Sequence, residues 1–344
     1  MKYNNRISRR DFARMAGLAL GSCALAGMNS FTKEVSAAVK STTAVGVARG
    51  ETMGSAVRKA VELSGGMNFI KSGQTILIKP NVNSGDAYPA STNPEVLYEV
   101  IKMVWERDPK RVIVGDRSNY RRITRDEMKR AGIDKAILDA KAELITFDDM
   151  NWRFVNPTKS VNWETGYHLA EILFQVDHII NVPVIKTHRW GWFTMSIKNF
   201  VGIIPGKDRV FMHGKLGATQ TAGQTQVANY PAFAKMIAEI GLTVTPSLNI
   251  MDGTKAFVTE GPSKGDMVEP KLIVASRDRI ATDVTGLGIL KHYGTEDRIQ
   301  KISVWKQPMI VRAIEIGMGV SDLSQMDLKA ANVPEFDSFK AQMI

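Results

Sequence analysis

The chain has 344 residues, of which 44% are hydrophobic and 23% are charged, which is the composition of a globular protein with a sizeable core. This composition excludes a disordered tail protein, a collagen-like chain and a disulfide scaffold. The formal net charge is +10, from 45 Lys and Arg against 35 Asp and Glu, and the length allows one large α/β domain or two smaller ones.

Residues 1–37 have the layout of an export signal. The pair Arg9-Arg10 is followed by Phe12 and by an apolar stretch over 15–28, which is shorter than the roughly 20 residues of a membrane-spanning helix. Small residues at 36–38 then offer a cleavage site. This order resembles a twin-arginine signal, and it predicts transport by the twin-arginine translocase to the periplasm. The alternative is an ordinary basic amphipathic helix.

The single cysteine, Cys23, falls inside this signal. Because Leu20-Gly21-Ser22-Cys23 resembles a lipobox, a second prediction is that Cys23 becomes a lipid-anchored N-terminus. With cleavage near residue 37, the mature chain contains no cysteine and therefore no cysteine-ligated iron–sulfur cluster. The signal holds six basic and two acidic residues, which leaves +6 for the remaining residues. That mild excess does not favour a nucleic-acid partner, and no transmembrane helix is expected in the mature protein.

From residue 44 onward, apolar strands alternate with amphipathic helices. The predicted strands are Thr75–Lys79, Arg111–Asp116, Glu143–Asp148, His178–Pro183, Leu248–Asp252 and Lys271–Ala275. The predicted helices are Pro94–Trp105, His168–Val176, Ser196–Val201, 230–241, 279–291 and 308–317. A further helix is expected after a capping box at Thr124–Glu127. This alternation predicts an α/β fold with a mainly parallel, doubly wound, Rossmann-like sheet flanked by helices.

A single domain is expected over residues 44–330, followed by a C-terminal tail over 331–344. Within it, residues 187–229 are rich in Gly, Thr and Gln, and they predict a long loop-rich excursion over the sheet. The segment Gly202–Asp208 resembles a phosphate-binding loop. It lacks one intervening residue and has Asp208 where Ser or Thr binds magnesium, so this motif does not support nucleotide hydrolysis.

In open parallel sheets, ligands bind beyond the carboxyl ends of the strands. Polar residues follow the predicted strands at these ends. Strand by strand, these residues are Lys79 and Asn81, Asp116, Lys186 and His188, Asp252, and Asp278. Asp and Asn also follow strands for backbone reasons. Because five strands deliver polar side chains, we expect a shared polar cleft.

The residue types in this cleft indicate acid–base chemistry on an anion. His188 and His213, with Lys186 beside them, are the candidate catalytic residues, although a packed histidine is the structural alternative. Lysines indicate an anionic ligand such as a carboxylate or phosphate, unless they are solvated charges at the rim. The candidate substrate-binding residues are Lys79, Asn81, Asp116, Lys198, Asn199 and Lys207. Asp252 and Asp278 are candidate metal ligands without a firm metal-binding pattern.

An ordered series of short motifs carries a family resemblance. The motifs begin with Ile78–Asn81, Thr92–Glu95, Val114–Asp116, Ile180–Pro183 and Lys186–His188, and continue with Lys198–Gly202, Asp252-Gly253, Glu260–Pro262 and Ala275–Asp283. Over about residues 75–290, the set resembles the domain-of-unknown-function 362 family.

The resemblance implies little about the reaction, since the family is largely without an assigned one. Some members carry a ferredoxin-like cluster domain, which does not transfer to a mature chain without cysteine. The fold is also expected to be distantly similar to lactate-racemase-like enzymes, which use histidines and a lysine with a nickel-bearing nucleotide cofactor. By that analogy, a divalent metal or a nucleotide-type cofactor is compatible with this chain.

Two function classes remain open from the sequence. The first is an exported enzyme that does acid–base chemistry, of isomerase, racemase or lyase type, on a small anionic substrate. The second is a non-catalytic ligand-binding or redox-accessory protein of the cell envelope that presents the same cleft.

Overall fold

The computed structural model describes residues 42–221 and 224–344. The predicted export signal, with its arginine pair and Cys23, lies outside the described residues. Within the described ranges, no helix combines the length and the apolar character needed to cross a bilayer.

The strands of the domain are short and recur along the whole chain. They are β1 (Thr43–Ala48), β2 (Thr75–Lys79), β3 (Arg111–Asp116), β4 (Glu143–Thr146), β5 (Trp152–Val155), β6 (Tyr167–Ala170), β7 (His178–Asn181), β8 (Val184–His188), β9 (Trp192–Thr194), β10 (Ala218–Thr221), β11 (Gln224–Val227), β12 (Leu248–Phe257), β13 (Met267–Val268), β14 (Leu272–Ser276) and β15 (Met326–Ala331).

Helices connect most of these strands. They are α1 (Met53–Leu63), α2 (Pro94–Trp105), α3 (Thr124–Arg130), α4 (Ile133–Asp139), α5 (Ser196–Asn199), α6 (Gly206–Gly214), α7 (Tyr230–Ile240), α8 (Arg279–Tyr293), α9 (Asp297–Gln300), α10 (Pro308–Glu315) and α11 (Phe336–Ala341). Short 3-10 turns cover Phe147–Asp149, Glu171–Phe174, Phe200–Ile203, Val304–Lys306 and Leu323–Gln325.

The main sheet is mixed and mostly parallel, as predicted. Its strands follow the order β15-β1-β14-β12-β7-β2-β3-β4, and β8 pairs with β12 beyond the point where β7 ends. The pairs formed by β2, β3, β4 and β7 are parallel. In contrast, β14 is antiparallel to both of its neighbours, β1 and β12. The carboxyl end of β14 therefore lies at the opposite edge from those of β2 and β3.

Helices cover both faces of the sheet because alternate strand residues point to opposite sides. In β2, Ile76 and Ile78 join a core with α1, α2 and α4, whereas Leu77 joins the core on the other face. That second core contains α7, α8 and α10. The doubly wound α/β architecture is therefore confirmed.

Two local predictions were wrong. The helix predicted at 168–176 is strand β6 followed by a 3-10 turn, and β6 forms a hairpin with β5. Its burial has period two, with Tyr167 and Leu169 buried and His168 half-exposed, which is the pattern of a strand. Helix α3 starts at Thr124, but no capping box forms. The Thr124 hydroxyl instead accepts from the Ser118 N–H and donates to Asp148.

Two segments contain more regular structure than expected. Besides helix α5, which was predicted, the excursion over 187–229 contains β9, α6 and the hairpin of β10 with β11. It also contributes buried apolar residues such as Phe193 and Phe200 to the core. Within the C-terminal tail expected over 331–344, α11 packs against α8.

Candidate functional site

A cavity lies where the carboxyl ends of β2, β3 and β8 meet helices α5 and α6. Its inner part measures about 40 Å³, which is room for about three waters or one carboxylate group. An outer cleft of about 410 Å³ shares His188, Lys198 and Arg209 with the inner part. The two parts therefore form one site, which we call the cavity.

Lys79 and Asp116 form a buried ion pair in the cavity wall. The Lys79 Nζ lies 2.6 Å from Asp116 Oδ1, and neither side chain is more than 3% exposed. Asp116 also accepts from the backbone N–H groups of Val82 and Arg117, each at 2.8 Å. A Cβ at Gly202 would lie 2.2 Å from Asp116 Oδ1, so the pair depends on that glycine. Burial lowers the pKa of Lys79, although Asp116 opposes the shift.

Asparagine side chains link the strand ends to helix α5. The Asn199 amide donates to Asn181 Oδ1 at 2.7 Å, and its oxygen accepts from Asn81 at 2.9 Å. Asn181 donates in turn to Asn249 at 3.0 Å. The chain of hydrogen bonds runs across β2, β7 and β12, and it holds α5 against the sheet.

Lys186 lies on β8 and is 1% exposed. Its Nζ donates to Asn81 Oδ1 at 2.8 Å and to the Ala90 carbonyl, and no carboxylate of the described residues pairs with it. Burial, assisted by the charge of Lys198, lowers the pKa of Lys186 to about 7, so the ammonium and the amine are both populated at neutral pH. An anion that enters the cavity favours the ammonium form.

Two further cations line both parts of the cavity. Lys198 is half-buried, and burial together with Arg209 lowers its pKa to about 7. Arg209, on α6, donates to the carbonyls of Ser118 and Arg117 at 2.7 Å, while its Nε has no partner. Burial lowers the pKa of Arg209 to about 9, so the guanidinium is charged at neutral pH. Neither residue forms an ion pair with a carboxylate of the described chain.

The His188 ring has a defined tautomer. Its Nδ1 accepts from the backbone N–H groups of Trp190 at 3.1 Å and Gly191 at 2.9 Å. A nitrogen that accepts carries no proton, so the proton of the neutral ring is on Nε2. Burial, then the charges of Lys198 and Lys186, hold the pKa of His188 well below its usual range. His188 is therefore a neutral N–H donor.

The His213 ring has the opposite tautomer. Its Nδ1 lies 2.7 Å from the Arg209 carbonyl, which can only accept, so Nδ1 carries the proton. Its Nε2 is left with a lone pair. Burial lowers the pKa of His213, which keeps the ring neutral at neutral pH. Both histidines line the outer cleft.

Buried polar atoms without partners also line the inner part of the cavity. The Thr194 hydroxyl, the Arg209 Nε and one terminal nitrogen of Arg117 have no hydrogen-bond partner among the described residues. Buried groups of this kind are normally satisfied, so they indicate a bound ligand or ordered water.

Three predicted site residues lie elsewhere. Lys207 is exposed on α6, with its Nζ 3.3 Å from His168 Nε2. Asp252 is in the middle of β12, where its Oδ1 accepts from Tyr88 at 2.9 Å and from Thr254 at 2.8 Å. Asp278 follows the antiparallel strand β14, so it lies at the opposite edge and caps α8 by accepting from Ala281 at 2.9 Å.

These positions do not fit a metal held by protein side chains. Within residues 42–221 and 224–344, no group of three His, Cys, Asp or Glu side chains comes together as metal ligands would. Asp252 and Asp278 do not share an ion, and Asp116 is engaged by Lys79. A nucleotide-type cofactor stays a prediction.

Three residues that line the cavity were not among the predicted site residues: Arg209, Arg117 and Thr194. Arg209 lies four residues before His213 on one helix, a spacing that brings two side chains to the same face. That spacing is the signal from which Arg209 could have been found. Arg117 directly follows β3, where polar residues of the cleft were expected, whereas Thr194 has no comparable pattern.

Comparison with known proteins identifies one relative among curated sequences. The chain is 29% identical to a thylakoid-associated protein of Synechocystis sp. over 238 residues, which cover 68% of this chain and 69% of that protein.

Two solved structures are distantly similar. One is a protein of Thermotoga maritima, with 13% identity and a TM-score of 0.41, and the match covers 65% of this chain and 54% of that one, about half its length. The other is the lactate racemase apoprotein of Thermoanaerobacterium thermosaccharolyticum, with 11% identity and a TM-score of 0.43. The match covers 86% of this chain and 85% of that one. At these values the likeness to lactate-racemase-like enzymes stays a prediction.

The family match carries the motifs that line the cavity. Residues 76–288 match the family described as Domain of unknown function (DUF362). That range is well over half of the chain, and it holds Lys186, His188, Lys198 and His213. The chain therefore belongs to the DUF362 family.

Proposed function

We propose that the chain is an enzyme that binds a small anion in the cavity and moves a proton on it. The observation that carries this proposal is the charge of the cavity. Lys186, Lys198 and Arg209 line it together, and none of them has a carboxylate partner within the described residues. Buried charges without a counter-ion are costly, so an anionic ligand is the natural complement.

The size of the cavity limits the ligand. The inner part accommodates one carboxylate-sized group, and the unpartnered donors of Thr194 and Arg209 face it. Carboxylates and phosphates accept several charge-assisted hydrogen bonds at once. The rest of a small substrate extends into the outer cleft, where both histidines lie.

The two histidines supply complementary proton chemistry. His213 presents a lone pair on Nε2 and accepts a proton, whereas the neutral His188 donates a hydrogen bond from its Nε2–H to a substrate oxygen. A base and a hydrogen-bond donor in one cleft suit abstraction of a C–H proton next to a carboxylate or carbonyl. Lys186, Lys198 and Arg209 stabilise the negative charge that develops on the substrate oxygen. This step is a common first step of isomerase, racemase and lyase reactions.

Solvent deuterium exchange tests the proton transfer. The protein is incubated in D₂O with lactate, malate and pyruvate, and the loss of C–H signals is followed by NMR. We expect exchange with at least one compound, strong reduction in His213→Gln, and no change in His178→Gln. His178 is a matched control, because it is half-buried, has a pKa lowered by burial, and bonds to Ser247 away from the cavity.

Two outcomes decide against catalysis by these residues. Equal exchange in wild type and His213→Gln removes His213 as the base. Binding of an anion without any exchange favours the non-catalytic ligand-binding function instead.

We also propose that the chain is exported by the twin-arginine translocase to the periplasm. The support is the sequence order of Arg9-Arg10, the apolar stretch over 15–28 and the small residues at 36–38. Mass spectrometry of the N-terminus of exported protein is expected to show cleavage near residue 37. Cleavage before Cys23, with a lipid on its sulfur, would instead establish the lipid-anchored form.

A further inference from the structure

Among the cations that line the inner part of the cavity, Lys198 is the one without a hydrogen bond or ion pair in the described chain. Lys79 donates to Asp116, Lys186 donates to Asn81, and Arg209 donates to two carbonyls. The half-buried Lys198 lines both the inner part and the outer cleft. Its amine is therefore unengaged and reachable by a small molecule.

The Lys198 side chain is held beside His188 by a glycine. It lies over Gly191, where an added Cβ would come 2.5 Å from Lys198 Cε and 3.5 Å from His188 Nδ1. Any larger residue at 191 would displace the lysine stem. The stem therefore packs against backbone, and the amine is directed to the cleft that the histidines line.

The surroundings of Lys198 also favour a nucleophilic amine. Burial and the charge of Arg209 lower the pKa of Lys198 to about 7, so a substantial fraction of the amine is neutral at neutral pH. A neutral amine is the form that attacks carbonyl carbons, and lysines activated in this way form Schiff bases.

We propose that Lys198 forms an imine with the carbonyl carbon of a small 2-oxo carboxylate, whose carboxylate is held by Lys186 and Arg209. This inference rests on the proposed anion-binding function and names its substrate class. A 2-oxo carboxylate offers both groups that the cavity complements, namely an anion and an adjacent electrophilic carbon.

The atoms and charges of imine formation balance with the groups that line the cavity. The Lys198 ammonium passes a proton to His213 Nε2, the lone pair of the neutral amine attacks the carbonyl carbon, and a C–N bond forms while the proton on His213 moves to the carbonyl oxygen. A second proton passes from the Lys198 nitrogen through His213 to the resulting hydroxyl, the C–O bond breaks, and one water leaves as the iminium forms. His188 Nε2–H donates a hydrogen bond to that oxygen and keeps its proton. No oxidant or reductant takes part. The iminium then withdraws electrons from the adjacent C–H, which makes that proton easier to remove.

Reductive trapping tests this inference on the full chain. The protein is treated with sodium borohydride and pyruvate, glyoxylate or 2-oxoglutarate, and is then analysed by intact mass and peptide mapping. We expect one reduced adduct per chain, on the peptide that contains Lys198. The adduct is expected to disappear in Lys198→Arg, which keeps the positive charge, and in Lys198→Met.

Lys291→Arg is the matched control. Lys291 is half-buried, has a pKa lowered by burial, and donates to the Ile302 carbonyl away from the cavity. Trapping is expected to be unchanged in this variant. Adducts spread over exposed lysines, undiminished labelling in Lys198→Arg, or no adduct with any of the three acids would overturn the inference.

Thermal unfolding with the same acids separates the two proposals. If the acids stabilise wild type and Lys198→Arg but give no adduct, the imine is wrong and anion binding stands. If they stabilise neither protein and give no adduct, both the imine and the proposed function fail. Thermal unfolding without ligand also shows whether each variant is folded.

Discussion

Replacing Asp116 by asparagine tests whether Lys79 and Asp116 act as a structural pair rather than as ligands of the substrate. The change leaves the Lys79 ammonium buried, 0% exposed, without its carboxylate. Breaking one partner of a buried pair costs about 3–5 kcal/mol in the free energy of unfolding. For a domain of this size, that corresponds to a drop of about 5–8 °C in Tm.

The pH dependence makes this prediction sharper. Without Asp116, the pKa of Lys79 in the folded variant lies further below its unfolded value, so the unfolded state binds more protons. The stability of Asp116→Asn relative to wild type therefore rises as pH increases towards about 10. Denaturant unfolding at several pH values measures the difference.

Two further variants serve as controls. Asp139→Asn removes a carboxylate whose pair with Lys135 is exposed, and it is expected to change stability by less than about 0.5 kcal/mol. The double variant Lys79→Met/Asp116→Asn removes both charges and is expected to recover most of the loss. A cost below about 1 kcal/mol for Asp116→Asn, or one that does not change with pH, would refute the reasoning.

Three other predictions concern the cavity. Gly202→Ala places a Cβ 2.2 Å from the carboxylate of the buried pair, and calorimetry is expected to show a loss of about 1–3 kcal/mol, whereas an unchanged Tm would contradict the close approach. The affinity for a carboxylate, measured by titration calorimetry, is expected to fall as pH rises through about 7, because Lys186 and Lys198 lose their protons; a flat profile would contradict this. Thr194→Val removes an unpartnered buried hydroxyl, so it is expected to leave Tm unchanged or raised but to weaken anion binding by about tenfold, and equal affinity would show that the hydroxyl does not face the ligand.

Much of the sheet could be predicted because its strands are short apolar runs with a polar residue at the end. Lys79, Asp116 and His188 are the last residues of β2, β3 and β8, and they lie at the cavity for this reason. The direction of β14 could not be predicted, since a short buried strand has the same apolar pattern in either orientation. Because β14 runs antiparallel, Asp278 lies at the end of the strands opposite to the cavity.

The partners of the individual lysines could not be predicted either. Lys79 and Lys186 both follow the expected pattern, but only the structure shows that one pairs with a carboxylate and the other does not. Arg209 bonds to carbonyls about 90 residues earlier in the chain, contacts that leave no trace in local sequence. The histidine tautomers depend on backbone groups in the same way.

The central claim is that the cavity binds a small anion. It is tested most directly by comparing acids with their neutral amides as ligands. Thermal unfolding of the wild type is measured with pyruvate, lactate and inorganic phosphate, and with the neutral amides of the two acids. We expect at least one anion to raise Tm, the amides to have no effect, and Lys198→Met to lose most of the stabilisation, because this lysine has no partner in the described protein. Equal stabilisation by anions and amides, no stabilisation by any anion, or full stabilisation of Lys198→Met would contradict the claim.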